Sequence, residues 1–156
     1  MAYMSSESFG TDHGTDDCFL CAHASATDET AAHVLHKAKY SFVVLNAYPY
    51  NTGHVMVAPV RHVGELDSLE LEERTELMEL VTRATLVIKE VMNAEGFNVG
   101  INQGIAAGAG VPGHLHVHVV PRWGGDTNFM PVVGETKVLP EMLAETYAKL
   151  KPAFNP

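Results

Sequence analysis

His114-Leu115-His116-Val117-His118-Val119-Val120 alternates polar and apolar residues, and that period of two marks a β-strand with one buried face. Leu115, Val117 and Val119 are then expected in the core, while His114, His116 and His118 share the opposite face. Neighbouring imidazoles cannot all be protonated near neutral pH, because like charges oppose one another and burial disfavours charge. At least one ring is therefore neutral and able to act as a nucleophile or a metal ligand.

Upstream of this strand, Gly104-Ile105-Ala106-Ala107-Gly108-Ala109-Gly110 offers almost no side-chain chemistry. Its glycines let backbone N–H groups, those of Gly108 and Gly110 among them, gather around an anion such as a phosphate. Arg122, just past the strand, is the nearest side chain that can add positive charge. Two chemistries compete for the histidine face: a nucleophile working on a phosphate, and a catalytic metal held by His114, His116 and His118. The glycine loop favours the first, and the lack of a carboxylate ligand soon after the histidines weakens the second. A third possibility is a nucleotide-binding protein that keeps the pocket without turnover.

Further out, residues 97–102 read as a strand, as do residues 40–45 and 54–58, the latter two separated by a turn at Pro49, Asn51 and Gly53. Strand-like character begins at Val34. Leu77, Leu80, Val81, Ala84, Val87, Ile88 and Val91 recur at helical spacing and predict one long helix. Asp67 with Glu70 is the expected capping box, and Gly96 the expected stop. A short closing helix is expected over residues 140–149. Paired strands with one main crossover helix make an α+β domain on an antiparallel sheet.

With 156 residues and 46% hydrophobic content, the chain suits a single domain, read as residues 18–156 behind a flexible leader of residues 1–17. Its 10 Lys and Arg against 19 Asp and Glu give a net charge of −9, which argues against nucleic acid or anionic membrane as partner. No apolar run is long enough to cross a bilayer, and the start of the chain has no signal-peptide pattern, so a cytoplasmic location is expected. Cys18 and Cys21 have the spacing of a metal pair or a redox dithiol, and two idle thiols remain an option. His13, His23, His33 and His36 are expected to face solvent.

The alternating histidines resemble the motif of the histidine triad family. Asn46-Ala47-Tyr48-Pro49-Tyr50-Asn51-Thr52-Gly53-His54-Val55-Met56-Val57-Ala58-Pro59 resembles its nucleoside-binding hairpin, and Gly100-Ile101-Asn102-Gln103-Gly104 its phosphate-side strand. Residues 121–131 and 134–137 are similar to the tail of the family's actinobacterial diadenosine tetraphosphate phosphorylases. The resemblance implies a triad-like antiparallel sheet with one long helix and a short C-terminal helix. It implies that His116 attacks an α-phosphorus to form a nucleotidyl-histidine, with His118 and Gln103 at the phosphate and His114 supporting the site. Asn46 and His54 would lie near the nucleoside, joined by Asn102 and Trp123. Family hydrolases carry glutamine where this chain has Gly110, which favours inorganic phosphate over water as acceptor. The implied reaction is therefore phosphorolysis of diadenosine tetraphosphate to ADP and ATP, with AMP-releasing hydrolysis of dinucleoside polyphosphates or nucleoside phosphoramidates as the alternative. The resemblance further implies a structural zinc on Cys18, Cys21, His62 and His114, a homodimer, and no organic cofactor.

Overall fold

In the computed structural model, residues 15–126 and 141–155 are described. Five strands form one antiparallel sheet in the order β1-β2-β3-β5-β4. They are β1 (Val34–Lys37), β2 (Ser41–Leu45), β3 (Val55–Pro59), β4 (Gly96–Ile101) and β5 (Val117–Arg122). The helices are α1 (Phe19–Ser25), α2 (Leu71–Met92) and α3 (Leu143–Phe154). This is the expected α+β architecture. It differs in detail at several ends, and each difference has a local cause.

The apolar stripe of α2 is the one the helical spacing predicts: Leu77, Leu80, Val81, Ala84, Val87 and Ile88 are buried. They pack on Val43, Val55, Val57, Leu115, Val117 and Val119 from the sheet, together with Leu150 and Phe154 of α3. The capping box is Glu70 with Glu73 rather than Asp67 with Glu70, because Asp67 is taken into a 3-10 turn, Leu66–Ser68, that precedes the helix. Asn93, not Gly96, ends α2: it adopts the left-handed conformation at φ 52°, which asparagine tolerates better than most residues, and Gly96 already begins β4.

α3 starts and ends later than expected, at Leu143 and Phe154, and runs through Pro152. Pro140, the expected first residue of this helix, lies outside the described residues, as do residues 127–137 with most of the resembling tail. Residues 15–17, assigned to the leader, form a short 3-10 turn that leads into α1. The remainder of that leader, including His13, is outside the described residues.

On the face of the sheet away from α2, Cys18 and Leu20 pack with Val34, Phe42, Val44, Met56 and Ala58. α1 thereby covers the surface onto which β5 projects its histidines. Strand pairing of β5 begins only at Val117, opposite Val57 and Ile101, so His114 and His116 sit on the extended lead-in to the strand. The alternation survives there nonetheless, with Leu115 in the core facing α2.

Between β3 and α2, Arg61 donates to Glu73 through Nε at 3.0 Å and Nη2 at 2.7 Å, and also to the Ser68 carbonyl at 2.7 Å. Arg61 and then the Glu70 N–H hold the Glu73 carboxyl down at about 2, against the opposing effect of burial. A folded value below the ordinary 4.5 means that this stabilisation is complete above pH 4.5 and disappears as pH falls toward 2. Glu73→Gln keeps the N3 acceptor but loses the charge paired with Arg61, and should cost up to about 1 kcal/mol at neutral pH. In urea unfolding, the gap from wild type should close between pH 4.5 and 2, and a gap that ignores pH would remove the carboxylate from this account.

Candidate active site

The three triad histidines have different surroundings, and backbone partners decide which nitrogen of each ring holds a proton. A carbonyl oxygen can only accept, so the 2.9 Å contact between His116 Nδ1 and the His114 carbonyl places a hydrogen on Nδ1. In the neutral ring, Nε2 then carries the lone pair. Burial is the main reason that His116 is shifted below its ordinary value, only partly opposed by this hydrogen bond. The arrangement is that of an oriented neutral nucleophile.

His118 is set up the opposite way. The Tyr50 N–H donates to His54 Nδ1 at 3.0 Å, leaving the proton of the neutral His54 ring on Nε2. That nitrogen lies 2.9 Å from His118 Nδ1 and donates to it. His118 therefore presents Nε2–H, a donor, beside the bare nitrogen of His116, with the two ring centroids 4.9 Å apart. Burial, and then the charge of His116, hold His118 down at about 4. Asn46 supports the relay, its Nδ2 lying 3.3 Å from His54 Nδ1 while its Oδ1 accepts from the Tyr48 N–H.

His114 belongs to a second cluster. Its Nε2–H donates to the Pro59 carbonyl at 2.8 Å, so Nδ1 bears a lone pair and faces Cys18 Sγ at 3.3 Å and Cys21 Sγ at 3.4 Å. His62 Nδ1 is 3.3 Å from Cys21 Sγ. The four candidate ligand atoms lie within 4.8 Å of one another. A tetrahedral zinc with ordinary bond lengths has S···N edges of about 3.5 Å, so the cluster has the dimensions and donor types of a closed structural metal site. Burial, followed by the adjoining Cys18 thiol, pushes the Cys21 thiol up to about 11. His114 is shifted down, chiefly by burial.

The structure also separates residues that the sequence groups together. Arg122 lies at the far end of β5, where Nε and Nη2 donate to Asp126 at 2.7 Å and Nη1 donates to Asn98 at 2.9 Å. Trp123 donates from Nε1 to the Met92 carbonyl at 3.2 Å and packs against the core. Both residues thus join β5 to its surroundings rather than presenting these groups to the histidines. The Gly108 N–H, expected in an anion nest, instead closes a turn onto the Ile105 carbonyl at 2.9 Å, helped by a left-handed φ of 80° that glycine adopts without strain. Gly110 is exposed, with open space where a side chain would project. Gln103 is exposed and accepts from the Leu66 N–H at 3.2 Å, while Asn102 is half-buried just after β4.

Two groups escaped the sequence reading. The Pro59 carbonyl is a backbone acceptor that no side-chain pattern encodes. Tyr50 is in the quoted hairpin, but its ring contact with His118 depends on β3 pairing with β5. His23, His33 and His36 are half-buried rather than solvent-facing: His33 meets Tyr147 edge-on, and His36 stacks on Phe154. Sequence alone could not reveal these partners, which come from distant elements.

Residues 27–125 match the HIT domain family. The chain is 51% identical over 113 residues to a protein of Mycobacterium tuberculosis (strain ATCC 25618 / H37Rv) named AP-4-A phosphorylase, covering 72% of this chain and 58% of that one. It is 40% identical over 89 residues to the asymmetrical bis(5'-nucleosyl)-tetraphosphatase of Schizosaccharomyces pombe (strain 972 / ATCC 24843), covering 57% and 48% of the two chains. The chain thus spans little more than half the length of the first relative and about half that of the second. A zinc-bound histidine triad family protein from Mycobacterium smegmatis superposes with a TM-score of 0.73 at 27% identity, covering 90% of this chain and 95% of the other.

The ring assignments can be read by long-range 1H–15N correlation. His116 should show a protonated Nδ1, and His118 a protonated Nε2 that stays neutral down to about pH 4. Because free histidine titrates near 6.5, this depressed value should also make folding stability fall as pH drops from 6.5 toward 4. His54→Phe should leave His118 as a mixture of tautomers, and an unchanged His118 signal would rule out the relay.

Proposed function

The chain belongs to the HIT domain family, and on that premise we propose that it transfers a nucleotidyl group through His116, by phosphorolysis of diadenosine tetraphosphate to ADP and ATP. The single observation that carries the chemistry is the bond from His116 Nδ1 to the His114 carbonyl, which leaves Nε2 unprotonated. The substrate is supported by the 51% identity to the protein named AP-4-A phosphorylase. The open space at Gly110 supports phosphate as the second acceptor.

In the first half-reaction, His116 Nε2 attacks the α-phosphorus, an N–P bond forms, and the P–O bond to the rest of the substrate breaks, releasing ATP. His118 keeps its Nε2–H and directs it as a hydrogen bond at the departing oxygen, stabilising the charge that gathers there. In the second, an oxygen of inorganic phosphate attacks the same phosphorus, the N–P bond breaks, and ADP leaves with the His116 lone pair restored. Asn46 and His54 hold His118 in its donor tautomer. Water in place of phosphate would give AMP, the hydrolase alternative supported by the likeness to the tetraphosphatase.

We place a structural zinc on Cys18, Cys21, His62 and His114, which supplies a cross-link between α1 and the lead-in to β5 when bound. Support comes from the donor set, its spacing and the zinc-bound neighbour. No organic cofactor enters this reaction. The proposed unit is one domain over residues 18–156, behind a leader of residues 1–17. A homodimer is supported by exposed Leu86 on α2 and Val99 on edge strand β4. A cytoplasmic location agrees with the paired thiols, and among the described residues no helix is long and apolar enough to cross a membrane.

Incubation with diadenosine tetraphosphate should give ADP and ATP only when phosphate is present. AMP and ATP without phosphate would replace phosphorolysis by hydrolysis, and no product in either case would overturn nucleotidyl transfer from this substrate. His116→Ala should lower turnover by at least about 10³-fold with the fold intact by circular dichroism. Protein purified without chelator should carry about one zinc per chain, and Cys21→Ser should lose both metal and thermal stability. Metal-free wild type of undiminished stability would refute the zinc assignment.

A further inference from the structure

Tyr50 is 58% exposed, yet its ring is held against two of the imidazoles described above. It lies over His54 at 4.8 Å with a 36° tilt and stacks on His118 at 5.8 Å and 28°. The turn beneath it is tied down from several sides. The Tyr50 N–H is bonded to His54, and the Asn51 side chain donates to the Pro121 carbonyl and to Asp126. Gly53 follows at φ 79°, a left-handed conformation that strains residues with a side chain. A tyrosine whose task was only to cover the histidines would gain by burying its whole ring. Here the ring is fixed in place while more than half of the residue stays in water, and a preorganised aromatic face of this kind suits a nucleobase.

We propose that Tyr50 is the stacking platform for the nucleobase of the departing nucleotide and sets a preference for dinucleoside over mononucleoside polyphosphates. The proposal rests on the nucleotidyl-transfer reading of the site. In-line displacement puts the attacking and leaving groups on opposite sides of the phosphorus. The departing oxygen is the one that accepts the His118 Nε2–H hydrogen bond, so the leaving group passes the ring on which Tyr50 stacks. A second nucleoside at the far end of that group can reach Tyr50, and a bare polyphosphate has no base to place there.

The test compares diadenosine tetraphosphate with adenosine 5′-tetraphosphate in wild type, Tyr50→Phe and Tyr50→Leu. Both substrates leave the same nucleotidyl group on His116 but release ATP in one case and inorganic triphosphate in the other. Tyr50→Leu should raise KM for the dinucleoside about tenfold more than KM for the mononucleoside, the size of one base–aromatic stack. Tyr50→Phe should behave as wild type, and retained turnover of the mononucleoside shows that the leucine variant is folded. Equal losses on both substrates, a phenylalanine variant as impaired as leucine, or no effect at all would overturn the platform alone. Wild type that turns over neither substrate would overturn the underlying reading, and the platform with it.

Discussion

The site depends on three polar groups of His114 and what each one meets. One ring nitrogen donates to the Pro59 carbonyl, the other faces the thiols of Cys18 and Cys21, and the backbone carbonyl accepts from His116. The Pro59 contact fixes the ring so that a lone pair points toward the sulfurs. The carbonyl contact fixes the neighbouring imidazole so that its lone pair points the other way. One buried residue thus serves a metal-competent cluster through its side chain and the proposed nucleophile, His116, through its backbone. The contacts connect three segments distant in sequence, α1, the end of β3 and the lead-in to β5.

The opposite face of the sheet makes that arrangement stable. Leu115, Val117 and Val119 pack under α2, and sliding β5 by one residue would exchange them with the histidines. Burying imidazoles against α2, where the partners are hydrocarbon, would leave their nitrogens without hydrogen bonds. The register is therefore enforced from the apolar side, and the alternating chemistry on the other side follows from it. Arg61, bridging Glu73 and Ser68 immediately before His62, ties the same helix to the segment that supplies the fourth ligand of the cluster.

Much of this was legible in the sequence because it is local and periodic. The strand alternation, the buried stripe of α2 and the order of β2 to β5 with α2 and α3 come from side-chain pattern, whereas α1 and a separate β1 were not legible there. The Cys2His2 grouping was legible only through family resemblance, since nothing between Cys21 and His62 encodes their meeting. Long-range and backbone partners were illegible. Arg122 reads as a phosphate ligand until Asp126 takes its guanidinium, and the Gly108 N–H reads as an anion donor until the Ile105 carbonyl takes it. Capping failed for a related reason: Asp67 and Gly96 had the right chemistry, but a 3-10 turn and the start of β4 claimed those positions.

For the proposed nucleotidyl transfer, these reassignments change how the site would handle a polyanion. The chain carries a net charge of −9, and the guanidinium expected beside the histidines is already paired. Burial keeps His114, His116 and His118 toward their neutral forms, so they do not supply resting positive charge in its place. A fixed cation would attract the ground-state phosphates and the transition state alike, which tightens binding without speeding the chemical step. Neutral donors with settled tautomers act more selectively, because the proton on His118 gains most from a leaving oxygen as negative charge develops on it. The same burial that makes His118 a poor cation at rest thus keeps its hydrogen bond directed at the stage of the reaction where it contributes most.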